Sequence, residues 1–287
     1  MIETSRRLPG SEATDIGRLV RGRTKGVVSA DRKFVTALAR GMLVLEAFAH
    51  DAVWLSSTEV ATQVRLPKPT TSRLLQALAA LGHLHYSQRR RQYRLATGVL
   101  TLGYAARETL SVSEVVRPHL RALADEYNVH ASLATRERLD VIQLQVAHSQ
   151  KTLMTLQLDE GSRIPIAGTA TGHALLAALP AAERRSLMEH LRHRHQRHWD
   201  EISARIEDGI RQCEERGYTT SLASWQTDIN GVAVPLVGPG GSPVLALACG
   251  APARHLPRRR TEEIGRRLVA VARTVEREMA TRGNIIP

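Results

Sequence analysis

Residues 55–81 read LSSTEVATQVRLPKPTTSRLLQALAAL, and this stretch decides the fold of the N-terminal part of the chain. From Val60 onward, apolar residues recur three and four positions apart, which is typical of a helix, and Ser57 is placed to cap its N-terminus. The segment RLPKP at residues 65–69 ends that helix, because a residue before proline avoids the α conformation. Pro69 suits the first turn of a second helix, where no backbone donor is needed. The stretch therefore predicts two helices joined by a tight break.

The second helix has an apolar stripe on one side and polar residues at its N-terminus. Leu74, Leu75, Leu78 and Leu81 form the stripe, and Gly82 ends the helix. Two such helices are typical of a helix-turn-helix, whose second helix enters the DNA major groove with its N-terminal residues first. A helical hairpin inside an ordinary core is the alternative for this stretch alone. The side chains predicted to contact DNA from the two helices are Ser57, Thr58, Lys68, Thr70, Thr71, Ser72 and Arg73.

The residues that follow, HLHYSQRRRQYRLATG, predict a β-hairpin. Two strand-like runs flank a polar turn that carries Arg89, Arg90 and Arg91. Runs of charge are usually solvated surface. Directly after a helix-turn-helix, a wing on the phosphate backbone is the better interpretation.

One more helix completes this domain. Residues 35–50 have helical spacing, with Leu38, Met42, Leu45 and Phe48 on the face predicted to pack behind the motif. We therefore predict a winged helix-turn-helix over residues 31–96. Within it, Lys68 and the three wing arginines should meet phosphates, and Thr70, Thr71 and Arg73 should meet base edges.

The charge of the chain is uneven. Its formal net charge is +12 over 287 residues, a length that predicts two domains of ordinary size. Residues 1–96 contain 16 Lys and Arg against 7 Asp and Glu, whereas residues 97–287 contain 24 against 21. The basic surplus lies in the part predicted to bind nucleic acid, as an electrostatic footprint should.

The cellular compartment is predicted from three features. Cys213 and Cys249 are two distant thiols that form no disulfide framework, which fits a reducing environment. No apolar run is long enough to span a bilayer, and the N-terminus lacks the apolar core of a signal peptide. We expect a cytoplasmic protein with no membrane partner.

The rest of the chain divides by composition and periodicity. Residues 1–30 are polar and rich in Gly and Arg, and predict a flexible basic arm that either touches DNA or has no partner. Residues 97–111 predict a linker helix. Residues 112–282 form the second domain, and residues 283–287 are a tail.

The second domain has a mixed pattern. Helical spacing is found at residues 112–129, 181–190, 201–216 and 261–279. Strand-like runs lie at 130–135, 140–146 and 152–158, and a hairpin is predicted from 229–237 and 244–249 around a Gly-rich turn. We predict an α+β domain with a curved antiparallel sheet that can cup a small molecule.

A loop of small residues, Ala167-Gly168-Thr169-Ala170-Thr171-Gly172, lies between an apolar strand end and a helix. Glycines let backbone amides approach a ligand, and a helix N-terminus favours an anion, so the loop suits a small carboxylate. A phosphate loop is excluded because no Gly-Lys-Ser/Thr follows. A tight strand-to-helix turn capped by Thr169 is an equally good interpretation.

Neither a metal site nor a catalytic site is predicted, and no cofactor is expected. His190, His193, His195 and His198 alternate with arginines that would oppose a cation, so we read an exposed loop at a helix end. His173 near Thr169 and Thr171 is the one set that suggests an enzyme acting on a small acid, with the N-terminal domain as a tether. No acid stands beside it to orient the imidazole, so we predict that the protein is not an enzyme.

Several segments together resemble the IclR-type family of bacterial transcriptional regulators, over roughly residues 34–282. They are VRLPKPTTSRLLQALAALGHLHY, the wing end Tyr93-Arg94-Leu95, IPIAGTATGHALLA, GYTTS and GVAVPLVGPGGSPVLALACGAP. The resemblance implies a GAF-like effector domain that binds a small organic acid. It also implies a homodimer or a dimer of dimers on a pseudo-palindromic double-stranded operator at catabolic or transport genes.

The resemblance also implies where the effector binds. The family usually has other, polar residues at five positions of this site, which are Ala167, Ser221, Gly231, Ala248 and Gly250 here. The site therefore has fewer polar side chains than is usual, which suggests a more apolar acid, such as an aromatic one. Thr169, Thr171, Ser224 and Asp228 are the alternative polar contacts. The effector-binding set is Gly168, Thr169, Ala170, Ser221, Asp228, Gly231, Ala248 and Gly250.

Overall fold

A computed structural model of the chain describes residues 35–48, 54–108, 112–149, 158–225, 228–238 and 244–281. The chain divides into two units, residues 1–105 and 106–287. The predicted basic arm, the tail and most of the predicted strand at 152–158 lie outside the described residues.

The N-terminal unit contains the predicted motif. Helix α1 is Thr36–Glu46, α2 is Ser57–Val64 and α3 is Lys68–Ala80. Strands β1 (Leu84–Ser87) and β2 (Gln92–Leu95) pair antiparallel, and α4 is Gly98–Glu108. These elements confirm the winged helix-turn-helix.

The core of this unit differs from the prediction at three leucine and methionine positions. Leu43 and Val44 of α1 are buried, whereas Leu38 and Met42 are exposed. In α3, Leu75 and Leu78 are buried and Leu81 is exposed. Leu81 already lies at the C-cap, where Gly82 turns the backbone into the left-handed region, so it has left the helix stripe.

The C-terminal unit is a curled sheet with helices on both faces. Its helices are α5 (Val112–Tyr127), α6 (Ala170–Ala178), α7 (Ala181–Arg194), α8 (Trp199–Arg216) and α9 (Arg258–Thr281). Its strands are β3 (His130–Glu137), β4 (Asp140–Ala147), β5 (Arg163–Pro165), β6 (Thr219–Leu222), β7 (Ile229–Val237) and β8 (Val244–Pro252). The strand order is β5-β4-β3-β8-β7-β6, and all neighbours are antiparallel. The predicted α+β class is confirmed, and β6 was not recognised as a strand.

The two faces of the sheet carry different side chains, because successive residues of a strand point to opposite sides. Leu245 and Leu247 of β8 belong to the core formed with α5 and α9. Ala246 and Ala248 belong to the core formed with α6, α7 and α8. Small residues on the second face leave room between the sheet and α6, and the pocket described below lies there.

None of the helices within the described ranges is both long and apolar enough to span a lipid bilayer.

Candidate nucleic-acid interface and ligand pocket

The N-cap of helix α2 lies one residue earlier than the sequence suggested. Ser56, and not Ser57, is the N-cap: its hydroxyl accepts from the N–H of Glu59 at 3.3 Å. The Glu59 carboxylate in turn accepts from the N–H of Ser56 at 2.7 Å, which completes a capping box. Hydrogen bonds to this carboxylate from the Ser56 side chain, and secondarily from the Ser56 N–H, hold the pKa of the Glu59 carboxyl below its usual value. Ser57 is half-buried and Thr58 is exposed.

The first two turns of α3 present four of the ten side chains predicted to contact DNA. Lys68 and Arg73 are exposed, and Thr70 and Ser72 are half-buried. Thr71 is fully buried at 0 % exposure, and its hydroxyl donates to the carbonyl of Pro67 at 3.2 Å. The prediction that Thr71 contacts a base edge is therefore wrong. Its position on the inward face of the helix, one turn before Leu75, is the reason.

The hairpin tip places the three arginines at the surface. Residues 88–91 form the turn, and Arg89, Arg90 and Arg91 are all exposed. Arg91 adopts the left-handed conformation, with φ of 53°, and the N–H of Arg90 donates to the hydroxyl of Ser87 at 3.3 Å. The tip is thus an exposed cationic turn, and its contact with the phosphate backbone stays a prediction.

Trp54 supports this wing, although no local pattern in the sequence pointed to it. The guanidinium carbons of Arg90 and Arg94 lie 5.4 Å and 5.0 Å from the centre of the Trp54 ring. His85 packs edge-on against the same ring at 5.9 Å. Cation–π contacts of this kind restrain long side chains that would otherwise move freely. The contact joins segments far apart in the chain, which is why periodicity and spacing do not predict it.

A cavity that is partly open to solvent lies between the sheet and the N-terminus of α6. Thr169, Ala170, Ser221, Gly231, Ala248 and Gly250, six residues of the predicted effector-binding set, line it. Whether they bind an effector remains a prediction.

The N-terminus of α6 has backbone N–H groups that can donate hydrogen bonds to an acceptor on a ligand. Thr169 is the N-cap; its hydroxyl accepts from the N–H of Gly172 at 3.1 Å and donates to the carbonyl of Pro165 at 2.8 Å. Ala170 and Thr171 are the first residues of the helix, so their N–H groups have no acceptor within it. Two backbone donors and the positive end of the helix dipole therefore meet the cavity wall. The structure combines the two interpretations of this loop, because Thr169 is a cap and the loop also borders a cavity.

Two predicted residues do not line the cavity. The carbonyl of Gly168 accepts from the Ser221 hydroxyl at 3.2 Å, so this residue joins the loop to β6 instead. Asp228 is exposed, and its carbonyl accepts from the N–H of Ala253 at 2.7 Å. Both placements correct the predicted set. Ser224, an alternative polar contact, is not in the lining either, whereas Thr171 is.

Much of the polar lining was not predicted from the sequence. His130 and Ser132 on β3, Gln143 on β4 and Asn230 on β7 line the cavity, with Trp225 beside them. A polar residue at every second position of an otherwise apolar strand was the available signal for His130 and Ser132. Gln143 had the same signal, because it and Gln145 alternate with apolar residues on β4, whereas Asn230 had none.

His130 is a neutral member of this lining. Its side chain is 6 % exposed, and its Nε2 lies 3.2 Å from the carbonyl oxygen of Leu158. Burial, and secondarily the nearby His148, lowers the pKa of His130 to about 4. At neutral pH the imidazole therefore contributes hydrogen bonding to the site and no positive charge.

His173 does not form a catalytic set with Thr169 and Thr171. Its ring is buried, Nε2 lies 3.0 Å from the Ala167 carbonyl oxygen, and Gly209 of α8 packs against the ring. Burial lowers its pKa. The enzyme alternative loses the one residue that suggested it, because His173 packs between helices.

The histidine segment is more helical than expected. Helix α7 continues to Arg194, and Gln196–His198 form a 3₁₀ turn, so the predicted loop is short. Within the described ranges, no group of three or more His, Cys, Asp or Glu side chains could hold a metal ion.

Two protein-family models together match most of the described chain. Residues 37–87 match the IclR helix-turn-helix domain. Residues 104–277 match the bacterial transcriptional regulator IclR C-terminal domain. The HTH-type transcriptional regulator TsaQ1/TsaQ2 of Comamonas testosteroni is 31 % identical over 224 residues, 78 % of this chain and 80 % of that protein.

Solved structures agree. An IclR family transcriptional regulator from Brucella abortus superposes with a TM-score of 0.77 at 38 % identity, covering 88 % of this chain and 96 % of that one. An IclR homolog from Microbacterium hydrocarbonoxydans, solved with 4-hydroxybenzoate, has a TM-score of 0.65 at 20 % identity and covers 84 % of this chain and 99 % of that one. At 20 % identity, the similarity to the Microbacterium hydrocarbonoxydans protein shows a shared fold only.

Proposed function

This chain belongs to the IclR family of bacterial transcriptional regulators, and we propose that a small aromatic acid bound in the C-terminal pocket modulates its binding to operator DNA. The observation that carries the proposal is the first turn of α6, which borders the cavity with free backbone donors. The targets we propose are promoters of catabolic or transport genes.

An acid is the ligand class that this end of the pocket favours. The lining side chains among the described residues include neither Lys nor Arg, so the helix N-terminus is the element that stabilises a carboxylate.

An aromatic body fits the rest of the lining. Leu158, Ile164, Trp225 and Ile229 supply apolar surface, and Ala248 and Gly250 supply space. The 4-hydroxybenzoate complex of the homolog from Microbacterium hydrocarbonoxydans provides a precedent for this ligand class on the same fold.

The DNA-binding part of the proposal rests on the exposed face of the N-terminal unit. Lys68, Arg89, Arg90 and Arg91 contact phosphates, and Thr70 and Arg73 contact base edges. Ser57 and Thr58 at the start of α2 and Ser72 in the second turn of α3 are the further DNA contacts that we propose. Two-fold symmetry of a dimer predicts a pseudo-palindromic operator.

The dimer itself is proposed from exposed apolar side chains. Val35, Leu38 and Met42 on or beside α1 are exposed, as are Leu100, Leu102 and Tyr104 on α4. Large apolar side chains exposed on two helices of one domain point to an interaction site, and a second copy is the partner that a two-fold operator requires. Sedimentation of the Leu38→Glu variant should then give monomers, while an Ala182→Glu control on α7 keeps the oligomeric state of the unmodified protein.

Ligand binding is tested first by thermal unfolding. Benzoate or 4-hydroxybenzoate should raise the melting temperature, and benzamide, which lacks the charge, should not. Binding to the native state alone adds about 2.7 kcal/mol of stability at a ligand concentration 100 times Kd. Ala248→Leu fills the pocket and should abolish the shift, whereas Ala182→Leu on the exposed face of α7 should retain it.

Regulation is tested with DNA selected from a random pool. The selected sites should be pseudo-palindromic, and the acid should change their affinity for the unmodified protein but not for Ala248→Leu. An effector must favour one of two DNA-binding states, or it changes nothing. An equal response of both proteins to the acid would overturn the pocket assignment.

A further inference from the structure

We propose that the side-chain oxygen of Gln143 accepts a hydrogen bond from the effector. The pocket then prefers an aromatic acid that carries a hydroxyl or amino group over one without a hydrogen-bond donor. This inference rests on the proposed function and adds a specificity residue to the same site. It starts from how the polar side chains of the lining are already engaged.

Most of the polar lining has partners within the protein. The Asn230 amide is engaged at both ends, accepting from the N–H of Ala223 at 2.9 Å and donating to the Leu256 carbonyl at 2.9 Å. The hydroxyl of Ser221 donates to Gly168, and His130 faces the Leu158 carbonyl. Thr169 is engaged as donor and acceptor by the α6 cap. These groups shape the pocket and hold little capacity for a ligand.

Gln143 differs from these four residues because, within the described part of the chain, its side chain has no hydrogen-bond partner at one end. Its side chain is 2 % exposed, yet its Oε1 has no hydrogen-bond partner among the described residues. Its backbone is fully engaged, because its N–H donates to Ser162 at 3.0 Å and its carbonyl accepts from Gly161 at 2.7 Å. The residue is therefore fixed in place on β4, it lines the cavity, and its buried Oε1 is an acceptor without a partner among the described residues.

A buried unpaired acceptor is costly, and few remain in folded proteins without a functional reason. The carboxylate of the effector cannot satisfy it, since a carboxylate is itself an acceptor. A phenolic hydroxyl or an amino group can. A site built around such a bond discriminates strongly against an analogue that lacks the donor, because binding the analogue leaves the acceptor unpaired.

Calorimetry with matched benzoates tests the inference. The probes are benzoates with a hydroxyl, a fluorine or a methoxy group at the same ring position, measured at both the 3- and 4-positions. The unmodified protein should bind the preferred hydroxybenzoate about ten-fold more tightly than its fluoro or methoxy counterpart. Gln143→Met, which keeps the length of the side chain, should abolish that preference and bind the fluoro acid at least as well as before.

Gln145→Met is the matched control on the same strand. Gln145 is buried but outside the lining; with its amide oriented to pair at both ends, it donates to the Ser113 carbonyl at 2.7 Å and accepts from Arg117 at 2.9 Å. This variant should keep the preference of about ten-fold. Thermal unfolding checks that each variant is folded.

The outcomes separate the two proposals. If no benzoate binds, the proposed aromatic effector is wrong and this inference falls with it. If the benzoates bind but hydroxyl, fluoro and methoxy acids bind alike, or if Gln143→Met keeps the preference, the role of Gln143 alone is wrong. A preference for the methoxy acid, which can only accept, would also overturn it.

Discussion

Gly172, in the first turn of α6, lies against the backbone of Ile166, so closely that a Cβ on Gly172 would overlap the carbonyl of Ile166. The chain leaves β5, forms the loop and folds α6 back over it within this short stretch. Gly172→Ala should therefore destabilise the C-terminal unit by about 3 kcal/mol or more, because backbone has to move to admit the methyl group. Urea unfolding followed by circular dichroism measures the loss.

Gly168→Ala in the same loop is the control. A Cβ there would be 3.7 Å from the Ser224 carbonyl oxygen, an ordinary van der Waals contact. We expect this variant to unfold within about 1 kcal/mol of the unmodified protein. Equal stability of the two variants would mean that the close approach of α6 to Ile166 is not a constraint on the fold.

The wing arginines should set the salt dependence of DNA binding. Replacing Arg89, Arg90 and Arg91 by glutamine should lower the slope of log affinity against log salt by about 0.9 for each phosphate that the wing no longer neutralises. Fluorescence anisotropy with duplex DNA of random sequence is sufficient, because the binding of arginine to phosphate does not depend on sequence.

Arg192 and Arg211 provide a control for charge alone. They lie on α7 and α8 and pair with Glu189 and Asp208. Replacing both by glutamine lowers the net charge but should leave the slope unchanged. A slope that stays the same in the wing variant as well would remove the wing from the DNA interface.

The sequence predicted the elements whose signals are local. Spacing of apolar residues located α2 and α3, and two prolines located the break between them. The β7–β8 hairpin followed from two apolar runs around a glycine-rich turn. Thr169 was recognised as a cap candidate because capping depends on residues close in sequence.

The sequence-based predictions failed for two reasons. Some features depend on contacts between segments that are distant in the chain, and others were missed because the rotation of a residue around its helix was misjudged. Thr71 lies next to Thr70 in the sequence, but a step of about 100° turns it toward Leu75 and the core. Trp54 meets Arg90 and Arg94 only after the hairpin has folded. Gln143 shares the cavity with Ala248 and Gly250 because β3 pairs with β8, a pairing between distant segments that no local pattern determines.

The contrast between Thr71 and Arg73 can be measured. Thr71→Val keeps the shape of a buried side chain and removes its hydrogen bond to Pro67, so it should cost about 1 kcal/mol of stability without changing which operator is bound. Arg73→Ala should leave stability nearly unchanged and relax base preference by about 1–3 kcal/mol at one position of each half-site. Denaturant unfolding and binding to single-base operator variants measure the two effects. A change of base preference in Thr71→Val would restore Thr71 to the interface.

Stability should fall with acid because His130 is held neutral. The pKa of His130 is lowered from 6.5 to about 4, first by burial and then by His148, while Leu158 and Asp159 oppose the shift. The His130 imidazole therefore binds a proton near pH 6.5 in the unfolded chain, but only near pH 4 in the folded chain. Between those values the free energy of unfolding decreases as pH falls, by about 2 kcal/mol from pH 7 to pH 5 for this residue alone.

Urea unfolding at pH 7 and pH 5 tests this, with His130→Gln as the variant. The replacement does not titrate, so the difference between the two pH values should shrink by His130's share, whatever the absolute stability of the variant. His173, whose pKa burial also lowers, contributes in the same direction and is retained. If His130→Gln loses as much stability on acidification as the unmodified protein does, His130 is not held neutral by the fold.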